Sequence, residues 1–332
     1  MIVAVTGASG HVGANLVRML LDRGDHVRAL IHRDRRAVAE LDVEECIGDL
    51  HDMPSVQKLV DGAEAVFHLA ANITLKRDRQ RTAWRTNVDG ARNVAEACLR
   101  AGVRRLVHFS SIHALSPYPQ DALVTESRPL AVDGRLPAYD RSKAAAEQAV
   151  VDAVTRGLDA VIVNPTAMIG PYDFRPSYLG SVLIDVVRGK LPVLVRGGFD
   201  WVDVRDVSVG ALAAMERGTS GERYLLSGHY RPLTELAAMT AAIAGSPPPH
   251  FSVPLWTAYL GLPFVVLAYA LRGKPSRFTS TSLWTMKHHQ QVSHEKATRE
   301  LGYQSRPLEE TIRDTLDWFR AAGLLRDRTR HV

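Results

Sequence analysis

Apolar positions in the first half of the chain fall into two alternating patterns. Short continuous runs read as buried parallel strands: Ile2 to Val5, Val27 to Ile31, Val43 to Ile47, Ala65 to Leu69, Arg105 to Ser110 and Leu158 to Val163. Between them lie stretches with helical spacing, notably Ala14 to Leu21, Arg81 to Ala101 closed by Gly102, and Pro137 to Arg156. This β–α alternation predicts an α/β fold, a doubly wound parallel sheet with helices on both faces and ligands at the carboxyl ends of its strands. Past Gly170 the alternation breaks up, which predicts a smaller, mainly helical C-terminal lobe.

The first strand runs into Gly7, Gly10 and Gly13, and a helical pattern follows at once. Strand, glycine turn and helix together aim free backbone N–H groups and a helix dipole at one spot, which suits a pyrophosphate. The glycines allow the tight turn, the close approach of phosphate and the packing of helix on strand. The stretch is therefore read as a dinucleotide site. The plain alternative is a glycine-rich turn before a helix.

At the end of the second strand, a site for unphosphorylated NAD commonly carries an acid for the ribose hydroxyls. Here the chain reads Ile31-His32-Arg33-Asp34-Arg35-Arg36. The planar fork of Arg33 suits a 2′-phosphate, so NADP(H) is expected over NAD(H), unless these arginines are simply solvated surface. Asp49, after Gly48, suits either the adenine amino group or a helix cap.

Tyr139 and Lys143 are four apart within a helical pattern and so share a face. A phenol titrates near ~10, and a neighbouring ammonium is expected to bring it down towards the working range. Ser111, at the end of the fifth strand, is placed to hydrogen-bond a substrate oxygen. Each feature alone is weak; together they read as a proton-transfer site.

These residues make the chain resemble the extended branch of the short-chain dehydrogenase/reductase superfamily. The resemblance rests on Thr6 to Gly13, Asp49-Leu50, His68-Leu69-Ala70-Ala71, Asn87-Val88-Asp89-Gly90, Phe109-Ser110-Ser111, Tyr139 with Lys143, Asn164-Pro165-Thr166 with Gly170-Pro171, and Val202 to Val207. It implies a Rossmann fold, a nicotinamide cofactor and a catalytic Ser111, Tyr139 and Lys143, with Lys143 also holding the nicotinamide ribose. It further implies that Asn87 steadies the site, that Pro165 and Thr166 border the nicotinamide, and that Gly7, Ser9, Gly10, His11, Val12, Gly13, Arg33, Asp49, Leu50, Leu69, Ala70 and Ala71 contact the cofactor. Two departures stand out. His11 follows the second glycine, where the family often has a bulky apolar residue. Ile112-His113-Ala114-Leu115 differs from the motif of sugar-nucleotide epimerases, and His113 is read as a loop histidine in preference to a substrate contact.

Leu255 to Leu271 holds no charged residue, though Gly261 and Pro263 interrupt it. A buried helix, an apolar substrate wall and a peripheral membrane or partner surface compete. The wall is favoured, and a transmembrane span is the weakest reading. Gly221 to Gly228, Glu300 to Tyr303 and Arg306 to Leu308 resemble the subgroup of dihydroflavonol reductase-like, 3β-hydroxysteroid dehydrogenase-like and hopanoid-associated epimerase-like proteins, whose substrates tend to be hydrophobic.

Composition adds bounds. The 332 residues, 46% hydrophobic, suffice for a sizeable core. The net charge of +5 comes without the basic and aromatic interleaving of a nucleic-acid surface. Cys46 and Cys98 read as buried and reduced, no metal-ligand spacing appears, and no signal peptide precedes the first strand, so a cytoplasmic enzyme is expected. The expected division is 1–170 for cofactor and triad, 171–325 for an interleaved substrate lobe, and 326–332 for a basic tail. The expected function is NADP(H)-linked hydride transfer between nicotinamide and a hydrophobic ketone, aldehyde or secondary alcohol. An NAD-dependent epimerase or dehydratase on a sugar-like substrate and a non-catalytic NADP sensor are the alternatives. A homodimer through helices bearing Arg92 to Cys98 and Tyr139 to Ala149 is a weaker expectation.

Overall fold

The computed structural model describes residues 1–74, 81–191, 193–249, 251–271 and 279–325; the basic tail lies outside them. From the N-terminus the elements are β1 (Ile2–Thr6), α1 (His11–Asp22), β2 (His26–Ile31), β3 (Glu44–Ile47), α2 (Met53–Val60) and β4 (Ala65–His68). A helical run follows, from α3 (Thr82–Trp84) through a π-helical turn (Arg85–Asp89) into α4 (Gly90–Ala101), and then β5 (Arg105–Phe109). A 3-10 turn (Ile112–Ala114) precedes α5 (Ala138–Val154), β6 (Ala160–Pro165) and β7 (Ala167–Ile169).

The C-terminal half contains α6 (Tyr178–Val187), β8 (Val193–Val195), β9 (Gly198–Asp203), α7 (Val204–Arg217), β10 (Arg223–Leu226), β11 (His229–Pro232) and α8 (Leu233–Ala244). It ends with β12 (Phe251–Val253), α9 (Leu255–Leu271), α10 (Ser280–Thr285), α11 (Glu295–Leu301) and α12 (Leu308–Ala321).

Seven strands form one parallel sheet in the order β10-β6-β5-β4-β1-β2-β3. Chain order reverses between β1 and β4, so their carboxyl ends open the crevice where α/β sheets bind ligands. The strands are apolar nearly throughout because helices cover both faces. α1 and α7 close one face around Leu16, Val17, Val207 and Ala211. α2, α4 and α5 close the other around Val56, Leu59, Val94 and Val150. Cys46 and Cys98 are buried and unpaired within that second layer.

The C-terminal half is less purely helical than expected. It adds a three-stranded sheet, β11-β9-β7, and a two-stranded one, β12-β8. Apart from β9, these strands have three or four residues, too short to show a period of two in sequence. The interleaving consists of α7 and β10, which return to the large sheet. Asp203 caps α7 by accepting from Arg205 N at 2.7 Å, and Asp206 pairs with Arg306 at 2.8 Å. The Val202 to Val207 motif is thus a structural latch between α7 and the approach to α12.

Candidate active site

The β1–α1 turn shows why glycine is required. Gly7 has φ of 73°, and a Cβ there would sit 2.6 Å from Ala70 N; one on Gly13 would sit 2.2 Å from Gly7 O. β1, the start of α1 and the end of β4 therefore meet at backbone distance. Gly10 precedes α1 without a side-chain cap, and the first turn carries no acid. The orphan N–H groups of that turn, with the helix dipole, form an anion cradle that no local carboxylate fills.

Gly7, Gly10, His11, Val12, Gly13, Leu69, Ala71, Ser111, Tyr139, Lys143, Pro165 and Thr166 line a single cavity of about 360 Å³. Twelve expected positions from five separate segments thus converge. The others sit around it. Ser9 donates to Asp34 O and joins the β1–α1 turn to the loop after β2. Ala70 N donates to Thr6 Oγ1 at 3.3 Å. Leu50 is buried against Gly90, and its carbonyl accepts from Asn93 at 2.8 Å, so its side chain packs in the core. Asp49 accepts from His51 N at 2.9 Å, which holds its carboxyl below the usual range, and the second oxygen lies 3.5 Å from His32.

The arginines after β2 divide clearly. Arg35 pairs with Glu45 at 2.8 Å and Arg36 with Asp34 at 2.5 Å. Arg33 is exposed and makes no ion pair among the described residues. His11 also differs from a simple cofactor contact. Its Nε2 lies 3.1 Å from Gly170 O and 3.0 Å from Pro171 O, tying α1 to the segment after β7.

Asn87 does not line the cavity. It sits on the π-helical turn, accepts from Asn72 N at 2.7 Å and donates to Ser142 Oγ at 2.8 Å. Ser142 lies between Tyr139 and Lys143 on α5, so Asn87 is a positioning residue that joins α5 to the loop after β4.

Lys143 is buried and its Nζ donates to Phe109 O at 2.7 Å. Loss of water lowers its pKa to about 8, against an opposing pull from Glu147. The expected lowering of Tyr139 by Lys143 is not found. Burial pushes Tyr139 up to about 12, against a hydrogen bond with Ser111, and Asp140 raises it further. The ammonium is spent on a backbone carbonyl, so in the chain alone the phenol keeps its proton at neutral pH.

Three residues take a part in the site that their local sequence does not show. Glu147, one turn beyond Lys143, is fully buried; it accepts from Ser110 Oγ at 2.7 Å and Asn164 Nδ2 at 3.1 Å, and pairs with Arg223 at 2.7 Å. Removing one partner of such a pair leaves a stranded charge. Glu147→Ala is expected to cost about 3 kcal/mol or more, read as a drop in urea midpoint, and to lower the Lys143 pKa. An unchanged midpoint would contradict that assignment. His113 is the second: it faces the cavity, 3.6 Å from Asp140 and edge-on to Tyr139 at 5.9 Å between rings. The loop reading is corrected. His289, from far along the chain, meets His113 edge-on at 5.5 Å.

The expected substrate wall at 255–271 is not found over the part of α9 whose side chains are described: none of residues 255–264 or 266 lines the cavity, whereas Thr281, Ser282 and Thr285 of α10 do. A helix apolar on all sides does not reveal in sequence which face it buries.

Comparison with known proteins agrees with this geometry. Residues 3–227 match the NAD dependent epimerase/dehydratase family. The chain is 35% identical to the sterol demethylase protein B of Methylococcus capsulatus, covering 98% of this chain and all of that protein. It is 34% identical to a putative dihydroflavonol 4-reductase of Synechocystis, over 97% of this chain and 95% of that one. The crystal structure of gox2253 superposes with a TM-score of 0.85 at 34% identity, covering 98% and 99% of the two chains. The family binds a nicotinamide cofactor, and the glycine cradle and the cavity beyond it fit one. With the match spanning both the cradle and the Ser111–Tyr139–Lys143 site, this chain belongs to the NAD dependent epimerase/dehydratase family, and is an enzyme of the extended short-chain dehydrogenase/reductase type.

Proposed function

We propose that the protein is an NADP(H)-dependent oxidoreductase interconverting an apolar ketone or aldehyde with its alcohol. The observation that carries this reading is the cavity wall beside Ser111 and Tyr139. Ile73, Ile112, Met168, Leu179 and Phe199 line it, and most of the lining surface is apolar. A sugar nucleotide needs many hydrogen-bond partners, whereas a mostly apolar pocket with a few convergent polar groups suits a hydrophobic carbonyl. The names of the relatives, a sterol demethylase protein and a reductase of a dihydroflavonol, support an apolar substrate class.

The nicotinamide, when bound, supplies or takes up the hydride. Gly7 to Gly13 would hold the pyrophosphate, Arg33 a 2′-phosphate, and Pro165 and Thr166 would border the nicotinamide. Ser111 holds the substrate oxygen. Tyr139, protonated at neutral pH, gives that oxygen its proton in the reducing direction. Lys143, near its own midpoint at neutral to mildly basic pH, would hold ribose hydroxyls and serve as the next proton donor.

Two tests apply. Net consumption of NADPH with a panel of apolar ketones, and none with sugar nucleotides, is expected; the reverse pattern would sink the substrate reading. Arg33→Ser is expected to weaken NADPH at least about tenfold while leaving NADH nearly unchanged, from the strength of a charge-assisted phosphate contact. Equal loss for both cofactors in paired titrations would remove Arg33 from the phosphate site.

A further inference from the structure

We propose that α9 and the β8–β12 ribbon form a docking surface for an anionic bilayer, placing the cavity one helix away from the lipid. α9 packs inward through Leu255, Ala258 and Leu262 against Val195, Leu283 and Met286. Its opposite side is apolar too, and open to solvent. Trp256 is 65% exposed, Leu260 68% and Phe264 75%, with Tyr259 also exposed. Phe251 and Val193, direct partners in the β12–β8 register, are exposed as well. An exposed apolar helix face of this kind, with an indole and a phenol on it, is suited to the boundary between headgroups and acyl chains.

Charge selects the occupant. No aspartate or glutamate occurs between Glu235 and Glu295, and within that stretch Lys287 is exposed directly after Met286, which packs under α9. None occurs between Asp185 and Asp200 either, where Arg188, Lys190 and Arg196 fall. Both segments that build the patch are therefore cationic in sequence. A second copy docked by two-fold symmetry would set these cationic segments against themselves. Anionic headgroups complement them. No described helix is long and apolar enough to cross a membrane, which is consistent with a helix lying in the interface.

The placement has a functional sense, which rests on the apolar-substrate reading above. Leu283 of α10 packs under α9, while its neighbours Thr281, Ser282 and Thr285 line the cavity. A hydrophobic substrate dissolved in lipid would then reach Ser111 and Tyr139 past a single helix, without crossing water.

The test is flotation of the full chain with vesicles of phosphatidylcholine alone, or mixed with phosphatidylglycerol, at low and high salt. Binding is expected with the mixed vesicles, weakened by salt, and reduced about tenfold or more by the double variant Leu260→Glu with Phe264→Glu. Both sites are solvent-exposed and away from the cavity, so NADPH affinity and melting temperature should stay unchanged in the variant. Absence of flotation with anionic vesicles overturns the proposal, as does flotation that the variant leaves intact. A variant that only splits a dimer, with no vesicle binding by the parent, assigns the surface to a second copy and also overturns it. Vesicle binding is read without substrate or cofactor, so failure of the redox reading would show separately, as loss of NADPH turnover.

Discussion

Tyr139→Phe is expected to lower turnover by about 10²–10⁴-fold, the range associated with loss of a positioned proton donor. Ser111 can still hold the substrate oxygen, and Lys143 can still donate to Phe109 O, 2.7 Å away. What is lost is the one hydroxyl that both contacts Ser111 and faces the cavity. Phenylalanine keeps the ring, so cofactor binding and melting temperature should stay close to those of the parent. A variant that retained full turnover on a confirmed substrate would remove Tyr139 from the chemistry. A variant that lost cofactor binding along with turnover would make the tyrosine a structural support instead.

The second large effect is a fall in stability on acidification. Burial drives His68 and His289 down to about 3, and drives His108 well below its ordinary value. The sign follows directly. An unfolded chain takes up a proton on each of these rings below pH ~6.5, and the folded chain refuses it until far lower pH. Stability is therefore fully present above the ordinary histidine pKa and declines as pH falls through it. Each ring contributes a slope approaching ~1.4 kcal/mol per pH unit, so three approach ~4 kcal/mol per unit. Asp200 works the other way: burial raises it to about 6, so the folded chain takes up its proton first. It offsets roughly one histidine as pH falls below about 6.

The net loss between pH 6.5 and 4.5 is on the order of several kcal/mol, a large share of the stability of an ordinary domain. Urea midpoints across that range measure it. His108 gives the sharper check, because among the described residues neither of its buried ring nitrogens has a hydrogen-bond partner. His108→Leu should raise stability at pH 7 and flatten the acid slope. Destabilisation at pH 7, with an unchanged slope, would contradict this account.

Much of the frame was legible in the sequence because it depends on local constraints. Six strands of the large sheet were visible as apolar runs, since a strand covered on both faces has no polar positions to blur it. Gly7 and Gly13 stood out because their sites exclude any Cβ. Tyr139 and Lys143 stood out because spacing of four puts them on one helical face. The remainder depends on what the fold brings together. Glu147 reads as an ordinary helical charge until Ser110, Asn164 and Arg223 arrive from three strands or their ends. The π-helical turn that carries Asn87 is one extra residue in a helical ladder, and hydrophobic spacing does not register it. His113 needed Asp140 and His289 beside it before it could be told from a loop residue. Lys143 was read by spacing alone as the partner of the tyrosine, whereas the carbonyl of Phe109, unseen in any pattern, accepts its hydrogen bond.

The most direct measurement is isotope transfer. The protein is incubated with NADPH carrying deuterium at the transferred C4 position and with an apolar ketone that supports net turnover. The account predicts one equivalent of oxidised cofactor per alcohol formed, with deuterium at the carbinol carbon of the product. Product formation with no net oxidation of cofactor, the hydride having gone out and returned, would contradict it and assign this site to epimerase or dehydratase chemistry.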